Sequence, residues 1–240
     1  MAGWTTVDDF ETGSIGVAWS GDTTLFQVVA EATLEGDDLL KVDETSWSLD
    51  TWYTMLNTRE ISRNSDGDKT ARCLLYCDEH GDKDPTSNGL IFSATDDDNY
   101  YIVYAYMDKL SSYNRAYLDK VVSGVRTNLA SSTTDNGLIK GIEIKCETNL
   151  ITCYFYSDTG FSTSSGFTLS TSDTTFDEGY VGVGFEANAS TIESDVAWDY
   201  IQWYDAGAAP AGWANKIYGV VPGKVEGVAV ADIEKVQGVS

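Results

Sequence analysis

The chain has 240 residues, with 38 acidic and 15 basic side chains and a formal net charge of −23. This charge argues against nucleic acids and anionic membrane surfaces as partners, because both are recognised through basic patches. Hydrophobic residues make up 42% of the chain and aromatic residues 12%, which is enough to form a core and argues against a disordered body.

The N-terminal sequence MAGWTTVDDF has neither a basic segment nor an apolar one, so we expect no secretory signal. No apolar stretch approaches the length of a membrane span. The four cysteines, Cys73, Cys77, Cys146 and Cys153, are then expected to be reduced thiols that pack as small hydrophobic residues. Their spacings do not match those of a structural zinc site.

Short segments rich in β-branched and aromatic residues recur along the body, and clusters of Gly, Asn, Asp, Ser and Thr separate them. No stretch shows a capped helical period. The predicted strands are residues 72–77, 90–94, 100–106, 116–121, 142–147, 150–156, 180–186 and 196–204. This pattern predicts an all-β fold, either a sandwich or a barrel.

The clearest hairpin spans residues 141–156. With Thr148-Asn149 as a two-residue turn, Cys146 lies opposite Ile151 and Ile144 lies opposite Cys153. One face of the hairpin is then apolar and belongs in the core. The other face is mixed aromatic and polar, and its members are Glu143, Lys145, Thr152, Tyr154 and Tyr156.

The C-terminal region differs from the body in composition. Residues 206–240 balance three lysines against three acids, so residues 1–205 carry the whole net charge. A Lys-Ile/Val-x-Gly-Val unit occurs three times there, beginning at Lys216, Lys224 and Lys235. We predict a body of residues 1–205, a linker of residues 206–215 and an extended tail of residues 216–240.

The order of several motifs in the body resembles the concanavalin A-like lectin and glucanase family, which includes laminin-G-like modules. The motifs are DDFE at residues 8–11, GLIFSA at 89–94, DNYYIVY at 98–104, the hairpin at 142–156, EGYVGVGF at 178–185 and VAWDYIQW at 196–203. The resemblance covers residues 4–205. It implies a two-sheet antiparallel jelly-roll sandwich with adjacent first and last strands, a concave face that often binds glycans, and frequently one structural calcium ion.

Glucanase members of this family carry a catalytic Glu-x-Asp-x-x-Glu motif on one strand. A retaining mechanism needs two carboxyl groups about 5.5 Å apart, which alternate strand positions can supply. In this sequence Lys145 stands between Glu143 and Glu147, and Glu193-Ser-Asp195 lacks the third acid. We therefore predict that the protein is not an enzyme.

Two sets of residues are candidates for ligand binding in the body. Asp8, Asp9 and Asp199 are candidate calcium ligands, because oxygen ligands suit this cation and the first and last strands should meet. The alternative is that such acids are simply solvated. Six aromatic residues are candidates for stacking on sugar rings, with core packing as the alternative: Trp47, Trp52, Tyr104, Tyr106, Tyr154 and Tyr156.

The tail resembles C-terminal segments of bacteriophage structural proteins. That resemblance implies an assembly anchor, in which an extended segment adds backbone hydrogen bonds and apolar contacts to a neighbouring subunit. The apolar side chains that would make these contacts are Ile217, Val220, Val225, Val228, Ile233, Val236 and Val239. The alternatives are a hairpin folded back on the body and a flexible end.

These observations predict a non-enzymatic bacteriophage virion protein, either a capsid decoration protein or a tail accessory protein. It would be made in the host cytoplasm, present in many copies, and bound to other virion proteins through its tail. The lectin-like body would face outward and bind host glycans weakly. The alternatives are a free carbohydrate-binding module and a glycoside hydrolase with an atypical carboxylate pair.

Overall fold

The fold was analysed in a computed structural model, which describes residues 3–30, 38–42, 51–61, 69–77, 86–107, 115–132, 139–147, 149–177, 179–187 and 196–205. All of these residues lie within the first of two units of the chain, Met1–Ala206. The predicted linker and tail, and with them every predicted anchor residue, lie outside the described residues.

β-Strands make up nearly all of the regular structure in the described ranges. The strands, numbered in chain order, are β1 (Gly3–Asp8), β2 (Trp19–Gly21), β3 (Phe26–Ala30), β4 (Asp38–Val42), β5 (Thr51–Ile61), β6 (Lys69–Cys77), β7 (Thr86–Asp96), β8 (Asn99–Met107), β9 (Arg115–Val122), β10 (Val125–Ser131), β11 (Gly141–Glu147), β12 (Leu150–Tyr156), β13 (Ser164–Ser172), β14 (Gly179–Ala187) and β15 (Val196–Asp205). One short 3-10 helix, Thr23–Leu25, precedes β3. In the described part of the chain, no helix has the length and hydrophobicity needed to cross a membrane.

The strands form two antiparallel sheets, which confirms the predicted all-β sandwich. The eight-stranded sheet has the order β13-β12-β11-β6-β15-β4-β3, and β1 also pairs with β15. The seven-stranded sheet has the order β10-β9-β8-β7-β14-β5-β2. Gly3 of the first strand lies opposite Asp205 of the last, so these strands are adjacent, as the family resemblance implies.

The predicted hairpin is present as β11 and β12. Cys146 lies opposite Ile151 and Ile144 lies opposite Cys153, which confirms the predicted register. These four side chains are buried, whereas Tyr154 and its outward neighbours are half-buried. Burial raises the pKa of the Cys153 thiol well above its ordinary value, so this side chain behaves as a small apolar core residue.

Aromatic side chains fill much of the space between the sheets. Trp198 of β15 is fully buried, and its ring centroid lies 5.7 Å from that of Phe26 and 6.4 Å from that of Phe185. The Trp198 indole N–H also donates a hydrogen bond of 3.0 Å to the carbonyl of Gly89 on β7. The Trp198 side chain therefore links the two sheets directly through a hydrogen bond.

A polar network fastens the segment after β13 to the seven-stranded sheet. The Tyr101 hydroxyl donates to one carboxylate oxygen of Asp173 at 2.5 Å, and Lys120 Nζ lies 2.6 Å from the other oxygen. The same hydroxyl accepts a hydrogen bond from the backbone N–H of Phe176, at 3.2 Å. Lys120 also donates to the Thr175 hydroxyl, so Asp173 is the centre of the network.

Candidate functional site

The outer face of the seven-stranded sheet, on the side away from the core, carries a second hydrophobic cluster. Because side chains alternate along a strand, Tyr101 and Val103 of β8 point into the core, whereas Tyr100, Ile102 and Tyr104 point outward. Side chains from β5, β7, β9 and β14 complete the cluster: Trp52, Leu56, Ile91, Ala94, Tyr117, Val121 and Tyr180. Five of the ten side chains in this cluster are aromatic.

Tyr104 lies at the centre of an aromatic stack on this outer face. Its ring is stacked on that of Tyr117, with centroids 5.0 Å apart, and meets the ring of Trp52 edge-on at 5.0 Å. Gly89 lies opposite Tyr104 in the ladder, and a Cβ there would come within 2.6 Å of the Tyr104 Cβ. The glycine therefore leaves the space that the tyrosine side chain uses.

A charged group covers the aromatic stack. The Arg126 guanidinium carbon lies 5.0 Å from the Trp52 ring centroid and 5.7 Å from that of Tyr104. Arg126 Nε lies 3.3 Å from Asp119 Oδ2, and Arg126 Nη2 lies 3.4 Å from Glu186 Oε1. Two carboxylates therefore neutralise the one guanidinium.

Asp119 is almost completely buried, and both of its carboxylate oxygens accept hydrogen bonds. Its Oδ2 accepts a hydrogen bond from the Tyr104 hydroxyl at 3.0 Å, and its Oδ1 accepts one from Asn128 Nδ2 at 2.7 Å. A buried carboxylate is stable only when such partners compensate its lost hydration. The network holds Tyr104 and Arg126 in fixed positions on the outer face.

A groove of about 590 Å³ lies on the same outer face, beside Arg126. Its lining residues are Gly21, Asp22, Thr51, Trp52, Thr54, Asp97, Asp98, Tyr100, Val121 and Gly124. The buried side chains of Tyr100 and Val121 form its floor, and the exposed residues Asp97, Asp98 and Gly124 stand at one side. This volume falls within the range of about 300–1,000 Å³ that is usual for small-molecule sites.

One wall of the groove is held by the end of β2. The backbone N–H of Asp22 donates to the Thr54 carbonyl at 2.9 Å, and the Thr54 N–H donates to Asp22 Oδ2 at 3.0 Å. Gly21 has a φ of +100°, and a Cβ there would lie 2.6 Å from the Thr54 carbonyl oxygen. Glycine is therefore required for β2 to bring Asp22 against β5.

The opposite wall consists of two tight turns. Asp97 and Asp98 connect β7 to β8, and Asp96 Oδ1 accepts the backbone N–H of Asp98 at 2.9 Å. Gly124, in the turn between β9 and β10, donates its N–H to the Asp98 carbonyl at 3.0 Å. The Asn99 side chain accepts the N–H of Ser123 in the same turn, at 3.0 Å. These two hydrogen bonds connect the β7–β8 turn to the β9–β10 turn.

Carboxylates from different elements act on the hydroxyl of Tyr100 at the floor of the groove. Burial raises the pKa of Tyr100 to about 12, with Arg126 acting against this and Asp98, Asp119 and Asp22 adding to it. The phenol therefore keeps its proton at neutral pH and can both donate and accept a hydrogen bond. The groove combines aromatic rings, a protonated phenol and exposed carboxylates.

The aromatic residues predicted to bind glycans lie on both outer faces of the sandwich. Trp52, Tyr104 and Tyr106 lie on the outer face of the seven-stranded sheet, and only Trp52 of these lines the groove. Tyr154 and Tyr156 are half-buried on the outer face of the eight-stranded sheet. These two groups cannot contact one small ligand together. Trp47 lies outside the described residues.

The outer face of the eight-stranded sheet is occupied by contacts among its own side chains. The Arg72 guanidinium carbon lies 3.8 Å from the Trp4 ring centroid and 4.4 Å from that of Phe161. Arg72 Nε donates to Gln202 Oε1 at 2.8 Å, and burial lowers the pKa of this guanidinium. The Phe161 ring in turn meets that of Tyr156 edge-on at 5.5 Å. This cluster ties β1 to the segment between β12 and β13.

The predicted calcium ligands are placed by the pairing of β1 with β15. Both carboxylate oxygens of Asp8 already accept hydrogen bonds, from the Phe10 N–H at 2.9 Å and from the Trp19 indole N–H at 2.7 Å. Asp199 is buried and accepts the Tyr200 N–H at 2.6 Å, whereas Asp9 is half-exposed. The described residues contain no metal-ligand group of three acidic, histidine or cysteine side chains. Both oxygens of Asp8 are thus engaged within the chain, and calcium binding stays a prediction.

Several residues of the site were not predicted from the sequence: Asp22, Tyr100, Tyr117, Asp119, Arg126 and Glu186. The acidic loop of Asp96, Asp97 and Asp98 stands out in the sequence, but as a candidate for binding calcium. Alternation along β8 places Tyr100 on the same face as Tyr104, and this signal is present in the sequence. The approach of Arg126 to Glu186, which are 60 positions apart in the chain, depends on strand order and carries no local signal.

No protein-family model and no curated protein matches this sequence. Its fold is similar to that of the CBM2 module of Lactobacillus casei BL23 phage J-1 evolved Dit, with a TM-score of 0.53 and 8% identity over 85% of this chain and 96% of that one. It is also similar to the carbohydrate-binding module CBM66 from Bacillus subtilis, with a TM-score of 0.51 and 13% identity over 80% and 98% of the two chains.

A third similar structure is the GH43 protein BlXynB from Bacillus licheniformis, with a TM-score of 0.52 and 14% identity. The match covers 83% of this chain but only 39% of that one. Likenesses at these identities establish the fold alone. The body of this chain is a two-sheet antiparallel jelly roll.

Proposed function

We propose that the body of this chain is a carbohydrate-binding module that holds a glycan in the groove on the outer face of the seven-stranded sheet. The observation that carries the proposal is the lining of this groove, in which the aromatic residues Trp52 and Tyr100 lie among the carboxylates of Asp22, Asp97 and Asp98.

This combination matches the chemistry of a sugar ring. The C–H groups of a pyranose form an apolar face, which loses little by leaving water when it contacts an aromatic ring. Its hydroxyl groups donate hydrogen bonds that carboxylates accept strongly. The protonated Tyr100 hydroxyl can act as a hydrogen-bond donor or as an acceptor. A few fixed polar groups on an aromatic surface are the usual arrangement of a small-molecule site.

The similar folds support this proposal. One of the three similar structures is the carbohydrate-binding module CBM66, and another is the CBM2 module of a phage Dit. We propose binding without hydrolysis. Asp119 and Glu186 on the same face are both paired with Arg126, and neither lines the groove.

Groove variants test the proposal through glycan affinity. A saccharide array identifies a ligand, and calorimetry then compares the wild type with Trp52→Ala and with Asp97→Ala/Asp98→Ala. We expect each groove variant to weaken binding by at least about tenfold, which corresponds to about 1.4 kcal/mol. The aspartates are exposed, so their replacement tests the groove without disturbing the core.

Tyr154→Ala/Tyr156→Ala is the matched control, because it removes aromatic side chains from the opposite face. This control should bind with wild-type affinity. The proposal is wrong if no saccharide binds, or if the control loses affinity while the groove variants retain it.

We further propose that the chain is a virion component, a capsid decoration or tail accessory protein, and that the tail attaches it to the particle. Two observations support this second proposal. The Lys-Ile/Val-x-Gly-Val unit occurs three times in residues 216–240. A module of similar fold occurs in the evolved Dit of phage J-1.

Deletion of residues 216–240 separates attachment from glycan binding. The truncated chain should fold and keep its glycan affinity, but it should be missing from purified particles. Particle composition measured by mass spectrometry checks this. Incorporation of the truncated chain at the wild-type level would contradict an anchoring role for the tail.

A further inference from the structure

The groove has an excess of negative charge. Asp22, Asp97 and Asp98 line it, and none of its described lining residues is a lysine or an arginine. The positive charge of the nearby Arg126 guanidinium is already paired with two carboxylates outside the groove lining, those of Asp119 and Glu186. A ligand in this groove must therefore supply hydrogen-bond donors or positive charge to these carboxylates.

These carboxylates converge on one place. Asp22 at the end of β2, Asp98 in the turn after β7 and Asp119 on β9 all raise the pKa of the Tyr100 hydroxyl, after burial and against Arg126. Arg126 is the largest charge acting on this hydroxyl and opposes the carboxylates, so the negative charge of the groove comes from its lining: Asp22, Asp97 and Asp98 line the groove whose floor includes the 4% exposed side chain of Tyr100. A groove concentrates such a field more strongly than an open surface does.

The carboxylates have acceptor sites to spare. One oxygen of Asp22 accepts the Thr54 N–H, which leaves the other oxygen for a ligand. Asp98 contributes its backbone groups to the two turns, through its N–H and its carbonyl, and its side chain is exposed. Among the described residues, no salt bridge neutralises Asp22, Asp97 or Asp98.

The cation–π position on the aromatic surface beside the groove is already filled by a side chain of the protein. The chain's own Arg126 places its guanidinium 5.0 Å from the Trp52 ring centroid, a typical cation–π arrangement. An acidic sugar in the same groove would have to approach the carboxylates of Asp22, Asp97 and Asp98, with no lysine or arginine among the described lining residues, and like charges placed together are unfavourable.

We infer that the groove binds saccharides that carry free ammonium groups, as in de-N-acetylated amino sugars, and discriminates against acidic saccharides. This inference rests on the proposed function, since it names the ligand class of the same groove. The ammonium group would lie between Asp22 and Asp98 near the Tyr100 hydroxyl, while the apolar face of the sugar contacts Trp52.

Three oligosaccharides of equal length test the inference by calorimetry with the full chain: a glucosamine oligomer, its N-acetylated counterpart and a galacturonate oligomer. We expect the glucosamine oligomer to bind about tenfold more tightly than the N-acetylated one, a difference of about 1.4 kcal/mol. We expect no binding of the galacturonate oligomer. The preference should decrease as salt is added, since exposed charges are screened.

Two variants separate the groove from the general charge of the chain. Asp22→Asn/Asp98→Asn should reduce the preference for the free amine to near unity. Glu11→Gln/Glu147→Gln makes the same change in net charge away from the groove and should keep the preference. A fall as large in this control as in the groove variant would overturn the inference, because it would indicate unspecific attraction to an acidic protein.

The outcomes also distinguish this inference from the proposed function. If the N-acetylated oligomer binds in the groove as tightly as the free amine, the inference is wrong and the proposed function stands. If no saccharide of any charge binds, both are wrong. Tighter binding of the galacturonate oligomer would overturn the inference alone.

Discussion

Replacement of Trp198 by alanine is expected to lower the free energy of unfolding by about 3–5 kcal/mol, the largest stability effect that we predict. The side chain is fully buried between the two sheets, where it packs against Phe26 and Phe185. Its removal creates a large cavity and deletes the hydrogen bond to the Gly89 carbonyl, a direct link between the sheets. Urea unfolding followed by far-UV circular dichroism measures the change.

Two further variants divide this effect into its parts. Trp198→Phe keeps an aromatic ring but removes the donor to Gly89, so we expect a smaller loss of about 1–2 kcal/mol. Val17→Ala alters a fully exposed side chain and should change stability by less than about 0.5 kcal/mol. A Trp198→Ala variant as stable as Val17→Ala would contradict the proposed role of Trp198 in joining the sheets.

Asp173→Ala is expected to lower the free energy of unfolding by about 2 kcal/mol at neutral pH, because it leaves the Tyr101 hydroxyl and Lys120 without their shared acceptor. Lys120→Ala should cost less, since Tyr101 and the Thr175 backbone N–H still bond Asp173 in that variant. Thermal unfolding of both variants beside the wild type checks this order.

The contribution of Asp173 should also depend on pH. Burial alone would raise the pKa of Asp173, but hydrogen bonds from Lys120, Tyr101 and Thr175 outweigh it and hold the pKa below its ordinary range. A lowered carboxyl pKa stabilises the fold above the unfolded-state value of about 4, and this contribution is lost as the pH falls below it. The stability difference between wild type and Asp173→Ala should therefore be constant above about pH 5 and shrink toward about pH 3. A difference that stays constant to about pH 3 would contradict the lowered pKa.

The strands predicted from the sequence are four consecutive strands of each sheet, none of them at an edge. They are β12, β11, β6 and β15 in one sheet and β9, β8, β7 and β14 in the other. These strands carry most of the buried aliphatic and aromatic residues, which makes their pattern clear. β4 and β5 also have neighbours on both sides but were not predicted. Edge strands such as β10 and β13 bury less surface and contain more polar residues, so their sequences resemble loops.

The site was less predictable than the fold for a related reason. Alternation predicts that Tyr100 and Tyr104 share a face, but not that this face lies outside the core. Trp52 on β5 and Tyr104 on β8 are separated by two intervening strands, and only the order of the sheet brings their rings to 5.0 Å. The same holds for Asp22 and Asp98 on opposite sides of the groove. When strand order alone brings residues close together, no local pattern in the sequence predicts their proximity.

The location of a bound saccharide tests the central claim most directly. We would titrate the isotopically labelled full chain with the glucosamine oligomer or its N-acetylated counterpart and follow backbone amide signals by two-dimensional NMR. Binding in the groove predicts the largest shifts at Gly21, Asp22, Thr51, Trp52 and Gly124, with little change at Tyr154 and Tyr156. Shifts centred on Tyr154 and Tyr156, with the groove amides unmoved, would place the glycan on the eight-stranded sheet and contradict the account.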